Sequence, residues 1–220
     1  MKITSEKNTF SKLFDVSRET LAKLCKYELK IISSNQKFNI IGKSTIPNIW
    51  QRHFADSAKI LSFITQIAKQ NDNRKLEICD VGSGGGFPGL VILILNQEKK
   101  INFNMTLVES NKKKCLFLGD LIKCFKINAE IINDRAENLN DKFDIIVARA
   151  VAPLHKFLAF CKNISTNKTI YILPKGSNFQ LELLQLKKQW YYDVNIVKNN
   201  KEIDRSGGVT VILSNLKKKK

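Results

Sequence analysis

Apolar residues Leu21, Leu24, Cys25, Leu29 and Ile32 recur three or four positions apart, the spacing that sets them on one face of a helix. The pattern returns from Ile46 to Ile67, with Pro47 where a helix would start. The first sixty residues therefore read as a helical prefix. From Leu76 the period changes. Short β-branched runs over 76–81, 103–109, 129–133 and 143–148 predict strands, and amphipathic stretches over 88–98 and 111–125 predict helices between them. This alternation predicts a parallel sheet covered by helices on both faces. Further strands are expected at 169–173, 190–197 and 208–213, with helices near 153–163 and 178–189. The last two strands leave no room for a helix between them, so they are expected to form an antiparallel pair at the sheet edge.

A chain of 220 residues suits one large α/β domain with an extension. The expected division is a helical extension over 1–70, packed on a Rossmann-like domain over 71–220, as one structural unit. With 43% hydrophobic residues the chain can fill a core, which excludes disorder. The longest apolar run, Leu90 to Leu95, is far short of a bilayer span, and the N-terminus lacks the pattern of a signal peptide. A cytoplasmic protein without a membrane segment is expected. Five cysteines without a CxxC pair argue for reduced thiols rather than disulfides or a metal site.

The net charge of +17 is unevenly spread. Residues 1–60 carry eleven Lys/Arg against five Asp/Glu, residues 61–149 thirteen against eleven, and residues 150–220 thirteen against four. Basic flanks around a near-neutral middle suit a polyanion partner, because lysine and arginine gain affinity by displacing phosphate counterions. An AT-rich genome explains scattered lysines equally well, since Lys, Ile and Asn together supply 78 residues. The Lys217–Lys220 run reads as a solvated tail.

The candidate chemistry begins at Leu76-Glu-Ile-Cys-Asp-Val-Gly-Ser-Gly-Gly-Gly-Phe-Pro-Gly89, which places five glycines between a strand and a helix. Such a loop lets a ligand approach the backbone closely. Gly84, Gly86 and Gly89 formally satisfy GxGxxG, and Glu109 follows Gly89 by twenty residues, as a dinucleotide-binding oxidoreductase would require. Asp80 argues otherwise. A carboxylate beside the first glycine repels a pyrophosphate but attracts the ammonium and sulfonium of S-adenosylmethionine. Glu109, ending the second strand, can accept hydrogen bonds from both ribose hydroxyls. A third candidate cofactor segment, Asn133-Asp-Arg-Ala-Glu137, falls at the same sheet edge, where backbone groups can contact an adenine; Asp134 and Glu137 read equally well as a turn and a helix start.

The fourth strand runs into Ala148-Arg149-Ala150-Val-Ala-Pro153. It lacks the Asn/Asp-Pro-Pro-aromatic motif that orients an exocyclic amine. Pro153 is followed by Leu154, and Cys161 sits in an apolar helical pattern, so covalent catalysis by cysteine is not expected. Arg149 stays protonated and makes a poor base, yet it can bond a guanine edge or a carboxylate. Guanine N7 is a fitting target because no proton must leave before it attacks. The alternative is that Arg149 pairs with a loop carboxylate or with Glu137.

The run Asp80–Gly89, together with Arg52-His53-Phe-Ala-Asp56-Ser57, Arg135-Ala-Glu137, Ala148-Arg149-Ala150, Lys175-Gly176 and Arg205, resembles the RsmG (GidB) family of bacterial 16S ribosomal RNA guanine-N7 methyltransferases. The similarity extends from about Phe38 to Leu213. The resemblance implies a class I S-adenosylmethionine-dependent methyltransferase fold, Rossmann-like with a mostly parallel seven-stranded sheet and an antiparallel edge hairpin, carrying a helical N-terminal extension. It implies methylation of a guanine in the decoding-region loop of 16S rRNA, as RNA or in the small-subunit particle; a monomer without a metal is expected. It also implies cofactor contacts from Gly82, Phe87, Ala136, Glu137 and Arg149, beside Asp80, Gly84 and Glu109 from the loop and second strand. Arg52, His53, Lys175 and Arg205 are implied RNA or target-base contacts. From the residues alone, His53 beside Phe54 reads as a partial-core histidine, and Asp56 and Ser57 as helix-packing groups. The family's Asn-Leu-Thr element reads Asn39-Ile-Ile41 here. A noncatalytic RNA-binding protein that keeps a cofactor loop is the remaining alternative.

Overall fold

The computed structural model describes residues 5–198 and 208–219. Arg205 lies outside the described residues. The prefix holds α1 (Ser5–Phe14), α2 (Arg18–Asn35) and α3 (Asp56–Gln70), with a 3₁₀ turn at Lys43–Asn48 and a π turn at Trp50–Ala55 between the last two. There follow β1 (Leu76–Val81), α4 (Gly89–Lys99), β2 (Phe103–Val108), α5 (Lys112–Phe125), β3 (Glu130–Ile132), β4 (Ile145–Val147), α6 (Leu154–Phe160), β5 (Ile170–Lys175), α7 (Phe179–Lys187), β6 (Trp190–Lys198) and β7 (Val209–Lys218).

The single helix expected from Pro47 onward is corrected. Pro47 sits inside the 3₁₀ turn, and the α-helix begins only at Asp56. Proline has no N–H to bond backward, so it cannot lie in the body of a regular α-helix. The π turn that follows buries Trp50, His53 and Phe54 together, and such wide turns recur at functional sites. The helix expected over 153–163 stops at Phe160 and passes into a 3₁₀ turn at Lys162–Ile164.

The seven strands run in the order β3-β2-β1-β4-β5-β7-β6. Pairs among β1 to β5 are parallel, and β7 is antiparallel to both β5 and β6. The expected terminal antiparallel pair is present, with β6 at the edge. Chain order reverses between β1 and β4, and ligands of doubly wound sheets bind at the carboxyl ends of strands beside that switch point.

Helix α4 explains how the prefix docks. Leu90 to Leu95 are all buried, so this helix is apolar all round and needs cover on two sides. The sheet supplies one side and α2 and α3 the other; Leu24, Ile31, Ile60 and Ile64 join α4 in one core cluster. Each such side chain contributes about 1.5–3 kcal/mol by leaving water. A second cluster fills the opposite face beneath α6 and α7.

Candidate active site

The glycine loop divides its residues between two neighbours. Gly82 and Ser83 donate from their amides to Val108 O at 2.8 and 3.0 Å, fastening β1 to β2. Gly82 and Gly84 have φ of +71° and +55°, a region that favours glycine. A side chain on Gly84 would meet only Gly82 O at 3.7 Å, so this face of the loop is open. Gly85 faces the prefix instead, where an added Cβ would lie 2.6 Å from Ile40 Cγ2. At Gly89 it would lie 2.5 Å from Leu107 and 2.6 Å from Asp80 Oδ2. Ligand approach therefore does not account for all five glycines, since packing of the prefix and sheet demands some of them.

Tyr27 of α2 is the clearest prefix contact, and sequence reasoning missed it. Its hydroxyl donates to Gly85 O, and its ring stacks on Phe87 with centroids 5.3 Å apart. Phe54 and His53 close around the same Phe87 ring. The Phe87 ring, 4% exposed, thus faces the prefix rather than the cleft. Tyr27→Phe is expected to cost about 1–3 kcal/mol, because Gly85 O loses its buried donor. Urea unfolding measures that loss, and weaker S-adenosylhomocysteine binding should accompany it.

Asp80 is fully buried beneath the loop. One oxygen, Oδ2, accepts from Gly89 N at 2.9 Å at the start of α4. The other, Oδ1, is buried without a hydrogen-bond partner. Burial pushes this carboxyl up to about 7, against the lowering effect of the Gly89 N–H and the Ser83 hydroxyl.

At the end of β2, Glu109 Oε2 accepts from Gly84 N at 2.9 Å and Oε1 from Asn111 N at 2.8 Å. Each oxygen keeps a further lone pair. A cleft of about 230 Å³ opens beside it, lined by Gly82, Glu109, Ala136, Glu137 and Val151. Asp134 borders this cleft but bonds Arg135 N and Asn138 Nδ2, both at 2.6 Å. Its side chain therefore sets the turn that carries Ala136 and Glu137.

A second cleft, of about 420 Å³, lies beyond Val151 and is lined by Arg52, Asp56, Arg149, Lys175 and Glu182. Arg149 reaches across to the prefix. Its Nε lies 3.7 Å from Asp56 Oδ2, and its Nη1 meets His53 Nδ1. His53 Nε2 lies 2.9 Å from Thr45 Oγ1. Burial first, then Arg149 and Arg52, lower the His53 pKa to about 2. The imidazole therefore stays neutral, with Nδ1 accepting from Arg149 and Nε2–H donating to Thr45. So low a pKa makes it a weak base, suited to holding Arg149 rather than to moving a proton. Asp56, read from sequence as a helix-packing group, instead pairs with Arg149, and Ser57 Oγ donates to His53 O at 2.7 Å within the helix. The three-residue spacing of His53 and Asp56 was the available signal, since it puts both on one helix face.

Lys175 Nζ binds Glu182 Oε2 at 2.9 Å and Ala152 O at 3.2 Å. It lines the cleft, but its side chain is committed to holding the loop after β4. That loop is bent at Ala150, with φ +55°, and its Val151 packs against Gly82. Cys161 is fully buried, and burial raises its thiol pKa, the reverse of an activated nucleophile.

Residues 20–207 match the GidB family, described as rRNA small subunit methyltransferase G. The chain belongs to the GidB family. Among its relatives, the ribosomal RNA small subunit methyltransferase G of Bartonella tribocorum is 36% identical over 200 residues, spanning 90% of this chain and 89% of that protein. The protein of the same name from Rickettsia felis is 32% identical over 94% of this chain and 99% of its own length. The fold extends beyond the family. Magnesium protoporphyrin IX methyltransferase (ChlM) from Synechocystis PCC 6803, solved with bound SAM, matches with a TM-score of 0.56 at 9% identity, over 96% of this chain and 98% of that one. A putative class I S-adenosylmethionine-dependent methyltransferase from Listeria monocytogenes matches with a TM-score of 0.54 at 12% identity, over 77% of this chain and 62% of that one.

This GidB-family protein is accordingly a methyltransferase with the fold of class I S-adenosylmethionine-dependent enzymes, which sets the oxidoreductase alternative aside. The residues present fit that cofactor. The open face at Gly84 leaves room for a ligand against the backbone, Glu109 retains acceptor capacity, and Asp80 Oδ1 is buried without a partner, so a nearby cation would favour its ionised form. Among the described residues no group of three or more His, Cys, Asp or Glu could hold a metal ion, and no helix is long and apolar enough to cross a membrane.

Proposed function

We propose that the protein methylates N7 of a guanine in the decoding-region loop of 16S ribosomal RNA, as a monomer acting in the cytoplasm on RNA or the small-subunit particle. The observation that carries this reading is the state of the groups around the second cleft. The cation Arg149 is held there by a neutral histidine, and Cys161 does not line this cleft but lies in the buried core, where burial raises its thiol pKa. A target that must lose a proton first would find no strong base in His53, whereas N7 presents its lone pair directly. The names of the Bartonella and Rickettsia relatives support ribosomal RNA as substrate, and the charge of +17 suits a polyanion.

When bound, S-adenosylmethionine supplies an electrophilic methyl group. Gly82, Gly84, Glu109, Ala136, Glu137 and Arg149 hold it on this reading. Asp80 acts from beneath the loop through its charge, and Phe87 through the loop shape its buried ring enforces. Val151 and the bent loop at Ala150 form the wall between the two clefts and exclude water from the reacting line. Arg149, immobilised by His53 and Asp56, fixes the incoming nucleotide, so that catalysis is chiefly positioning. Arg52 at the cleft rim contacts RNA, as does Arg205. Lys175 acts through the loop it ties down.

Labelled S-adenosylmethionine and small-subunit particles from cells lacking this activity provide the test. Label at guanine N7 of one nucleotide supports the proposal; label only at another base position, or none on either naked RNA or particles, defeats it.

A further inference from the structure

We propose that Glu182 reads the target base, accepting the N1–H and 2-amino donors of guanine and so distinguishing it from adenine. The inference rests on the guanine-N7 reading given above. It begins from a constraint of the chemistry. An arginine that bonds guanine O6 and N7 together, its usual mode, would occupy the lone pair that has to attack. Base recognition must therefore come through the opposite edge, which offers hydrogen-bond donors. Donors require an acceptor in the cleft.

Two carboxylates line that cleft, Asp56 and Glu182. Asp56 faces Arg149. Glu182 is held through one oxygen alone: Oε2 accepts from Lys175 Nζ at 2.9 Å and from Leu154 N at 2.8 Å. No described residue bonds its Oε1. The side chain is 23% exposed, so it is reachable yet largely fixed. The two bonds to Oε2 orient the carboxylate before any base arrives, which lowers the ordering cost of recognition. They come from the start of α6 and the end of β5, elements that frame the loop bearing Arg149. Splayed-out RNA bases are commonly read through their Watson–Crick edges by such groups. Adenine would present its N1 lone pair to the same oxygen and be repelled, and polar sites reject mismatched partners strongly for this reason.

The decisive variant is Glu182→Gln. Its carbonyl oxygen can keep both anchoring bonds, while its amide group puts a donor where Oε1 stood. Methyl transfer is measured on particles carrying the methylated guanine and on particles in which that base is changed to adenine. The wild type should prefer guanine by at least about a hundredfold; the variant should lose about ten- to a hundredfold on guanine and narrow the preference. S-adenosylhomocysteine affinity and the melting midpoint should hold. An unchanged base preference overturns the inference. So does a parallel fall of rate, cofactor affinity and melting midpoint in both Glu182→Gln and Glu182→Asp, which would mean that Glu182 only anchors the loop. A wild type that fails to methylate guanine N7 defeats the underlying reading, a result distinct from either.

Discussion

Arg149→Met is expected to reduce methyl transfer by at least about a hundredfold, the scale seen when one preorganised polar contact is removed from a reacting centre. Stability should fall by about 2–4 kcal/mol, because a mostly buried ion pair loses one member. Asp56 and Arg149 side chains are each only 15% exposed, so solvent cannot replace the partner well. Arg149→Lys should not rescue the rate. A single ammonium cannot bond His53 and approach Asp56 as the planar guanidinium does. The chain holds two histidines, so the His53 resonance is readily followed by NMR. Its pKa should rise in Arg149→Met, since the arginine is the second cause of its depression, yet stay below 6.5 because burial is the first. Single-turnover kinetics, denaturant unfolding and that titration together check the prediction.

Asp80→Asn should change the pH dependence of stability more than any surface substitution. In the folded wild type the carboxyl is raised from 3.8 to about 7. Between those values the folded state binds a proton that the unfolded state does not, so Asp80 makes the protein less stable as pH rises through this window. The full penalty, about 4 kcal/mol for about three pKa units, stands above pH 7. The asparagine variant carries none of it, so its stability relative to wild type should climb by that amount from pH 4 to 8. His53 acts in the opposite sense. Its folded pKa of about 2 lies below the ordinary 6.5, so its contribution is lost as pH falls below 6.5. The two effects offset each other in the wild type, and only the difference between variant and wild type isolates Asp80. The same substitution should weaken S-adenosylmethionine binding by about 1–3 kcal/mol, because the charge that favours a cation is gone. Denaturant titrations across pH and calorimetry decide it; a flat difference would show that Asp80 ionises at its ordinary value.

The sheet was legible because the β-branched runs are short and regularly spaced, and the terminal pair because nothing helical fits between 197 and 208. The glycine loop announced a ligand site by composition. Which neighbour each glycine faces was not legible, since that depends on Tyr27 and Ile40, which only the packed prefix brings near. Asp80 is a related case. Its place at the strand end says nothing of its burial, which arises because the start of α4 folds back over it. The partnership of Arg149 with His53 joins residues 96 positions apart, a separation that no local pattern encodes. The break after Pro47 was concealed because hydrophobic spacing alone cannot tell an α-helix from 3₁₀ and π turns in succession.

The grip of Tyr27 and Ile40 on the loop has a consequence for anyone reshaping this enzyme. The missing side chain at Gly85 is a socket whose plug comes from the amino-terminal third. Transplanting the Asp80–Gly89 segment into another Rossmann scaffold, or cutting this chain down to its sheet, would separate plug from socket and leave the loop without the side chains that pack behind it.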